Sequence, residues 1–150
     1  MLAAMRAVDE GLAPETVDEA MLAFGMPMGP IELIDLVGLD VALASGKSLA
    51  GAEATPPRCL AERFNAGLLG KKAGRGFYAY RDGKAVKERA GTIPGDLTAR
   101  LLRPLLDRTR QLVAEGVVAD ADLADAGVIF GTGFAPFTGG PLHFARSQHV

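Results

Sequence analysis

The sequence predicts an all-α chain: duplicated helical hairpins with a small extended loop or hairpin near residues 76–86. Three observations carry this reading. Apolar residues recur at helical spacing through most of the 150 residues. Proline and glycine cluster at two corners, "FGMPMGP" from Phe24 and "FGTGFAPFTGGP" from Phe130. A Glu-Gly pair closes a leucine-rich helical pattern ahead of each corner, at Glu10-Gly11 and Glu115-Gly116.

Residues 1–10 read as a short amphipathic helix stopped by Gly11, a residue suited to the left-handed position after a helix. Pro14 opens the next helix, with Glu15, Asp18 and Glu19 near its positive end, and Gly25 stops it after Phe24. Pro27 and Pro30 forbid its continuation, and Pro30 starts a third helix whose Ile31, Leu33, Ile34 and Val37 form a broad apolar stripe. Two further helices are expected over 39–50 and 57–66, with Asp40 capping the first and the Thr55-Pro56-Pro57 break between them. From Gly67 to Glu88 glycines precede an alternating aromatic tract, Phe77, Tyr78 and Tyr80, and an Asp82-Gly83 turn signal. Leu97, Leu101, Leu105, Leu112 and Val113 then mark a helix from Asp96 to Glu115, which Pro104 should kink or open with an early turn. Asp120 is placed to cap a helix that Gly131 ends after Phe130, and Pro141 begins a last short turn beyond the Pro136 corner.

The stretch from Glu10 to Pro30 aligns with that from Glu115 to Pro141. Glu-Gly matches Glu-Gly, Ala20 matches Ala126, and Phe24-Gly25 matches Phe130-Gly131. One such hairpin cannot bury its apolar face alone, whereas two copies can cover each other as the subunits of a symmetric dimer do. The expected division is residues 1–90, with an N-terminally truncated first copy, and residues 91–150, with a degenerate second. The chain begins inside a helical pattern without a capping residue, which is expected of a piece of a longer protein.

A net charge of −2 and a pI near 5.7 argue against a nucleic-acid footprint. The apolar runs are too short for a membrane span, and Met1 opens no basic-then-apolar leader. The one cysteine, Cys59, permits no internal disulfide, so a reducing compartment, the cytoplasm, is expected.

"FGMPMGPIELIDLVGLDV" followed by "GKKAGRGFYAY" resembles the C-terminal helical domain of the 3-hydroxyacyl-CoA dehydrogenase family, a fold like the C-terminal domain of 6-phosphogluconate dehydrogenase. "EGVVADADLADAGVIFGTGFAPFTGGPLHFA" is similar to the second copy at the end of the multifunctional fatty-acid oxidation proteins, the alpha subunits of that complex. The resemblance implies an NAD-dependent L-3-hydroxyacyl-CoA dehydrogenase of fatty-acid β-oxidation. This chain would close its acyl-CoA cleft and mediate pseudodimer packing. NAD and the catalytic histidine–glutamate pair belong to a Rossmann domain absent here. An enoyl-CoA hydratase domain and a thiolase subunit are the further partners implied. The alternative is a free-standing, non-catalytic module for assembly or acyl binding.

The residues themselves predict no catalysis by this chain alone. "GTGFAP" follows a helix, and "GKKAGRGF" precedes its extended tract, so neither offers the strand–glycine–helix turn that holds a dinucleotide. His143 and His149 have no carboxylate close in sequence and do not match the family's catalytic position. Metal-ligand spacing is absent. Cys59 reads as a small buried hydrophobe. The family's substrate-contacting asparagine precedes Met1 in the first copy and is replaced by Ala99, before Arg100, in the second. The multifunctional proteins place a substrate-contacting tyrosine where Phe130 stands; without the hydroxyl an apolar contact with an acyl or pantetheine chain remains, and a core position mirroring Phe24 is the other reading. Lys71, Lys72 and Arg75 can serve a phosphate-bearing ligand such as CoA or simply coat a solvated loop. Asp35 shows no acid–base partner.

Overall fold

In the computed structural model of the chain, residues 1–51 and 55–148 are described. The helices are α1 (Leu2–Asp9), α2 (Pro14–Phe24), α3 (Pro30–Val37), α4 (Leu39–Ala50), α5 (Arg58–Asn65), α6 (Leu97–Ala114), α7 (Ala121–Thr132) and α8 (Pro141–Ser147). Between α5 and α6 lies one antiparallel ribbon of β1 (Ala79–Arg81) and β2 (Lys84–Val86), with Ala79 opposite Val86 and Arg81 opposite Lys84. Asp82 and Gly83 both carry positive φ at its turn, the backbone that an Asp-Gly hairpin favours. The predominantly helical reading and the small hairpin are therefore both present.

The chain divides into two compact units: Met1–Ala20 with Met28–Pro94, and Met21–Pro27 with Gly95–Val150. The first is built around Val17, Ile31, Ile34, Leu39 and Leu60, all at most 2% exposed. The second is centred on Met21, Leu102, Leu106, Phe134 and Ala145. There Phe24 packs edge-on against Phe134 and Phe144, with ring centroids 5.5 and 5.2 Å away, the arrangement aromatic quadrupoles favour.

The two Glu-Gly turns share one hydrogen-bond pattern. After α1, the N–H groups of Glu10, Gly11 and Leu12 donate to the carbonyls of Arg6, Val8 and Ala7. After α6, those of Glu115, Gly116 and Val117 donate to Gln111, Val113 and Leu112. Both glycines have positive φ, +104° and +72°, so each helix ends by reversing its handedness at a residue without a Cβ.

The Pro/Gly corners share a second pattern. Asp18 of α2, 1% exposed, accepts the N–H groups of Ile31 at 2.7 Å and Glu32 at 3.1 Å. Asp125 of α7, 4% exposed, accepts those of Leu142 at 2.6 Å and His143 at 3.0 Å. In both cases the receiving helix starts with proline, which has no N–H of its own to satisfy, and the aspartate takes the next two orphan donors. A Cβ on Gly29 or Gly140, the residue before each proline, would collide with that carboxylate. Asp18 thus faces the start of α3 rather than merely balancing the dipole of its own helix.

Three local expectations are corrected. Gly131 does not end α7; the helix runs through it to Thr132 and stops at Gly133, which is left-handed at φ +70°. An interior glycine costs about 1 kcal/mol against alanine, so the second glycine can carry the stop. Asp40 does not cap α4; Gly38 occupies the cap position, and the Asp40 carboxylate bonds Lys72 instead. Pro104 is no early turn, because α6 extends on both sides of it from Leu97 to Ala114. Asp120 does cap α7, accepting the N–H of Leu123 at 2.8 Å. The carboxylates pair Asp18 with Asp125, one residue out of the register that matched Phe24 to Phe130.

Asp18→Ala removes the acceptor of the Ile31 and Glu32 N–H groups and of the Tyr78 hydroxyl and is expected to cost roughly 3–5 kcal/mol. Asp125→Ala strands two backbone donors and is expected to cost about 1–3 kcal/mol. Urea denaturation of the two variants beside the wild type measures the difference.

Candidate functional site

The glycine-rich loop is held to the first unit by a second buried carboxylate. Asp35 of α3 is fully buried and accepts the N–H groups of Phe77 at 2.8 Å and Tyr78 at 2.9 Å. Gly70 lies against the Asp35 carbonyl and Gly76 against its carboxylate, leaving no room for a Cβ at either position. Burial pushes the Asp35 carboxyl above the ordinary range, and the two amides offset only part of that. Its task is to seat the Gly-Arg-Gly-Phe-Tyr loop.

The loop then reaches Asp18. The Tyr78 hydroxyl donates to Asp18 Oδ2 at 2.8 Å, and Lys87 Nζ lies 3.2 Å from the same oxygen and 2.6 Å from Glu32 Oε2. Lys87 also stands 5.0 Å from the centre of the Tyr78 ring. Asp18 therefore serves two backbone amides, a hydroxyl and a cation. Burial works against the Lys87 ammonium, but Glu32 and Asp18 prevail and hold its pKa above the usual lysine value. Burial and the Asp18 charge push the Tyr78 hydroxyl far upward, so it remains a donor. Among the described residues Asp125 has only its two amide donors.

Cys59 is buried and donates to the Met5 carbonyl at 3.4 Å, while its own N–H donates to Asp9 Oδ1 at 2.7 Å. Burial and the neighbouring Asp9 push the thiol up to about 12. For Asp9, burial acts upward, yet the hydrogen bonds from Cys59 and Arg58 leave its carboxyl below the usual range. The reading of Cys59 as a small core residue holds. Lys72 is taken by Asp40 at 2.6 Å. The backbone of His143 is held by Asp125, and His149 lies outside the described residues.

Phe130 is not a core residue. It stands 89% exposed on α7, whereas Phe24 is packed. The one-residue difference in register accounts for this, because it turns Phe130 off the face that carries Ala124 and Asp125.

The first unit also contains an apolar cavity of about 370 Å³ bounded by α1, the end of α3, α4 and α5. Met5, Val37, Leu43 and Leu60 line it, with Arg6 and Lys47 as its charged residues. Its size and apolar lining with few polar groups suit a small-molecule site. No motif in the sequence marks it. The available signal was the surplus of apolar residues around α4, of which Val37 and Leu49 line the cavity and are exposed.

Residues 1–80 match the family described as the C-terminal domain of 3-hydroxyacyl-CoA dehydrogenase. The chain belongs to that family. Among relatives of the dehydrogenase C-terminal domain, the fatty acid oxidation complex subunit alpha of Shewanella baltica strain OS155 is 35% identical over 161 residues, covering 90% of this chain and 22% of the relative. The Vibrio vulnificus subunit of the same name is 33% identical over 144 residues, covering 87% and 20%. The chain thus spans about a fifth of the length of these relatives. A crystal structure of 3-hydroxybutyryl-CoA dehydrogenase from Escherichia coli K12 shares the fold with a TM-score of 0.70 at 20% identity, over 97% of this chain and 50% of that one. The dehydrogenase part of multifunctional enzyme 1 from C. elegans does so with a TM-score of 0.66 at 23% identity, over 83% and 32%.

Lys87→Met is expected to lower stability with a defined pH signature. The folded pKa lies above the unfolded 10.5, so the contribution of Lys87 is complete below pH 10.5 and fades as pH rises through the higher folded value. Thermal melts of wild type and variant should therefore differ at pH 8 and converge at strongly alkaline pH.

Proposed function

We propose that this chain is the helical, cleft-closing part of an NAD-dependent L-3-hydroxyacyl-CoA dehydrogenase of fatty-acid β-oxidation, working in the cytoplasm. The match of residues 1–80 to the family carries the reading, and the relatives' name, fatty acid oxidation complex subunit alpha, supplies the setting. Its companions in this reading are a Rossmann domain, an enoyl-CoA hydratase domain and a thiolase subunit.

The residues described here do not fit NAD. Their one ribbon is antiparallel, and no strand runs into a helix through a glycine turn that could cradle a pyrophosphate. This chain supplies apolar surface. The cavity under α4 and the ring of Phe130 are two places where an acyl or pantetheine chain can rest, and Phe130 contributes only apolar contact, having no hydroxyl. The second hairpin stands in for a partner subunit's; the paired Asp18 and Asp125 corners support its origin as a duplicate.

A second reading, an acyl-binding module without a catalytic partner, draws on the cavity alone. The mass of the native gene product separates the two, since the dehydrogenase requires a product several times longer than this chain.

The 150-residue chain is expected to give no turnover with acetoacetyl-CoA and NADH, whereas the longer polypeptide carrying it turns over readily. A spectrophotometric assay at 340 nm tests both, and turnover by the chain alone overturns the proposal. Phe130→Ala should change stability by no more than about 0.5 kcal/mol, as for an exposed side chain. In the longer polypeptide it should raise KM for acyl-CoA about tenfold, reflecting roughly 1.4 kcal/mol of lost apolar contact.

A further inference from the structure

Charge is segregated along the sequence. Between Gly67 and Arg89 lie seven Lys and Arg but two Asp and Glu, a local charge of +5. The remaining nine cations and sixteen acids sum to −7, which yields the net −2.

The ribbon turns part of this charge onto one face. Residues opposite each other on paired strands share a face, and neighbours along a strand alternate. Arg81 pairs with Lys84 and Ala79 with Val86, while Arg75 forms a bridge with Ala79. All five are exposed, and Tyr80 and Ala85 point the other way, half-buried. Adjacent strands lie about 4.8 Å apart, so Arg75, Arg81 and Lys84 frame an apolar platform of Ala79 and Val86. Lys72 is engaged by Asp40, and Lys87 by Asp18 and Glu32. Arg75, Arg81 and Lys84 form no ion pair among the described residues.

We propose that this face binds the phosphate-bearing adenosine end of coenzyme A, with the three cations on its phosphates and the purine lying over Ala79 and Val86. Charge complementarity selects this occupant. Three unpaired cations around a flat apolar centre match a ligand that carries clustered phosphates on a planar ring, and two arginines favour phosphate through paired N–H donors. The proposal builds on the acyl-CoA reading above and adds where the ligand's charged end is held.

Coenzyme A titrated into the 150-residue chain at low salt, followed by amide NMR, should shift resonances between Gly70 and Val86. Pantetheine, which lacks the phosphates, should leave them unmoved, and 0.5 M salt should weaken the coenzyme A response. Arg75→Ala/Arg81→Ala/Lys84→Ala should weaken binding about tenfold, from roughly 0.5 kcal/mol per exposed charge, with the helical circular dichroism retained. Arg75→Lys/Arg81→Lys, which preserves charge, should stay within about threefold. Equal responses to coenzyme A and pantetheine, or undiminished binding by the alanine variant, overturn the proposal. So does capture by phosphatidylglycerol vesicles without a coenzyme A response. A longer polypeptide that turns over acyl-CoA while this chain ignores coenzyme A defeats the ribbon site alone; binding here without turnover there defeats only the dehydrogenase reading.

Discussion

A buried carboxylate aimed at the start of a proline-led helix is the constraint on which each corner depends. Removing a carboxylate from water is unfavourable unless its lone pairs are filled. Asp18 and Asp125 fill theirs with the backbone donors that a helix start leaves unpaired, so two groups costly to bury alone satisfy each other. Proline fixes the backbone of the incoming helix, and glycine makes room for the carboxylate. Changing any of these three residues disturbs the other two. Asp35 applies the same chemistry to a loop rather than a helix.

The two corners differ around this shared joint. Asp18 also anchors Tyr78 and Lys87, so the first corner, the glycine-rich loop and the ribbon's outgoing strand are tied to one oxygen pair. The second corner has the same joint and, among the described residues, no such strap. A corner with fewer dependents tolerates more change around it, and the second corner does contain a longer Pro/Gly connection between its helices.

Much of this organisation was legible in the residues. Prolines at first helical positions and a glycine at a left-handed one marked both ends of α2 and the start of α3 to the residue, because those backbone requirements are local. The Asp82-Gly83 turn was readable for the same reason. The stop of α7 was misread because two nearby glycines, Gly131 and Gly133, can each end a helix, and tertiary packing decides between them. The candidate site was less legible. Asp35 looked idle because its partners, Phe77 and Tyr78, are backbone donors some forty residues away. The exposure of Phe130 depends on a one-residue register that no local rule fixes, and the α4 cavity arises only when four helices meet.

The solitary thiol has a practical corollary. With its proton held so firmly and its sulfur screened from solvent, Cys59 presents almost no nucleophile at neutral pH while the first unit stays closed. Iodoacetamide can then label it only in the moments when α1 and α5 part. The labelling rate becomes a clock for that opening, and the chain carries its own breathing gauge without an added probe.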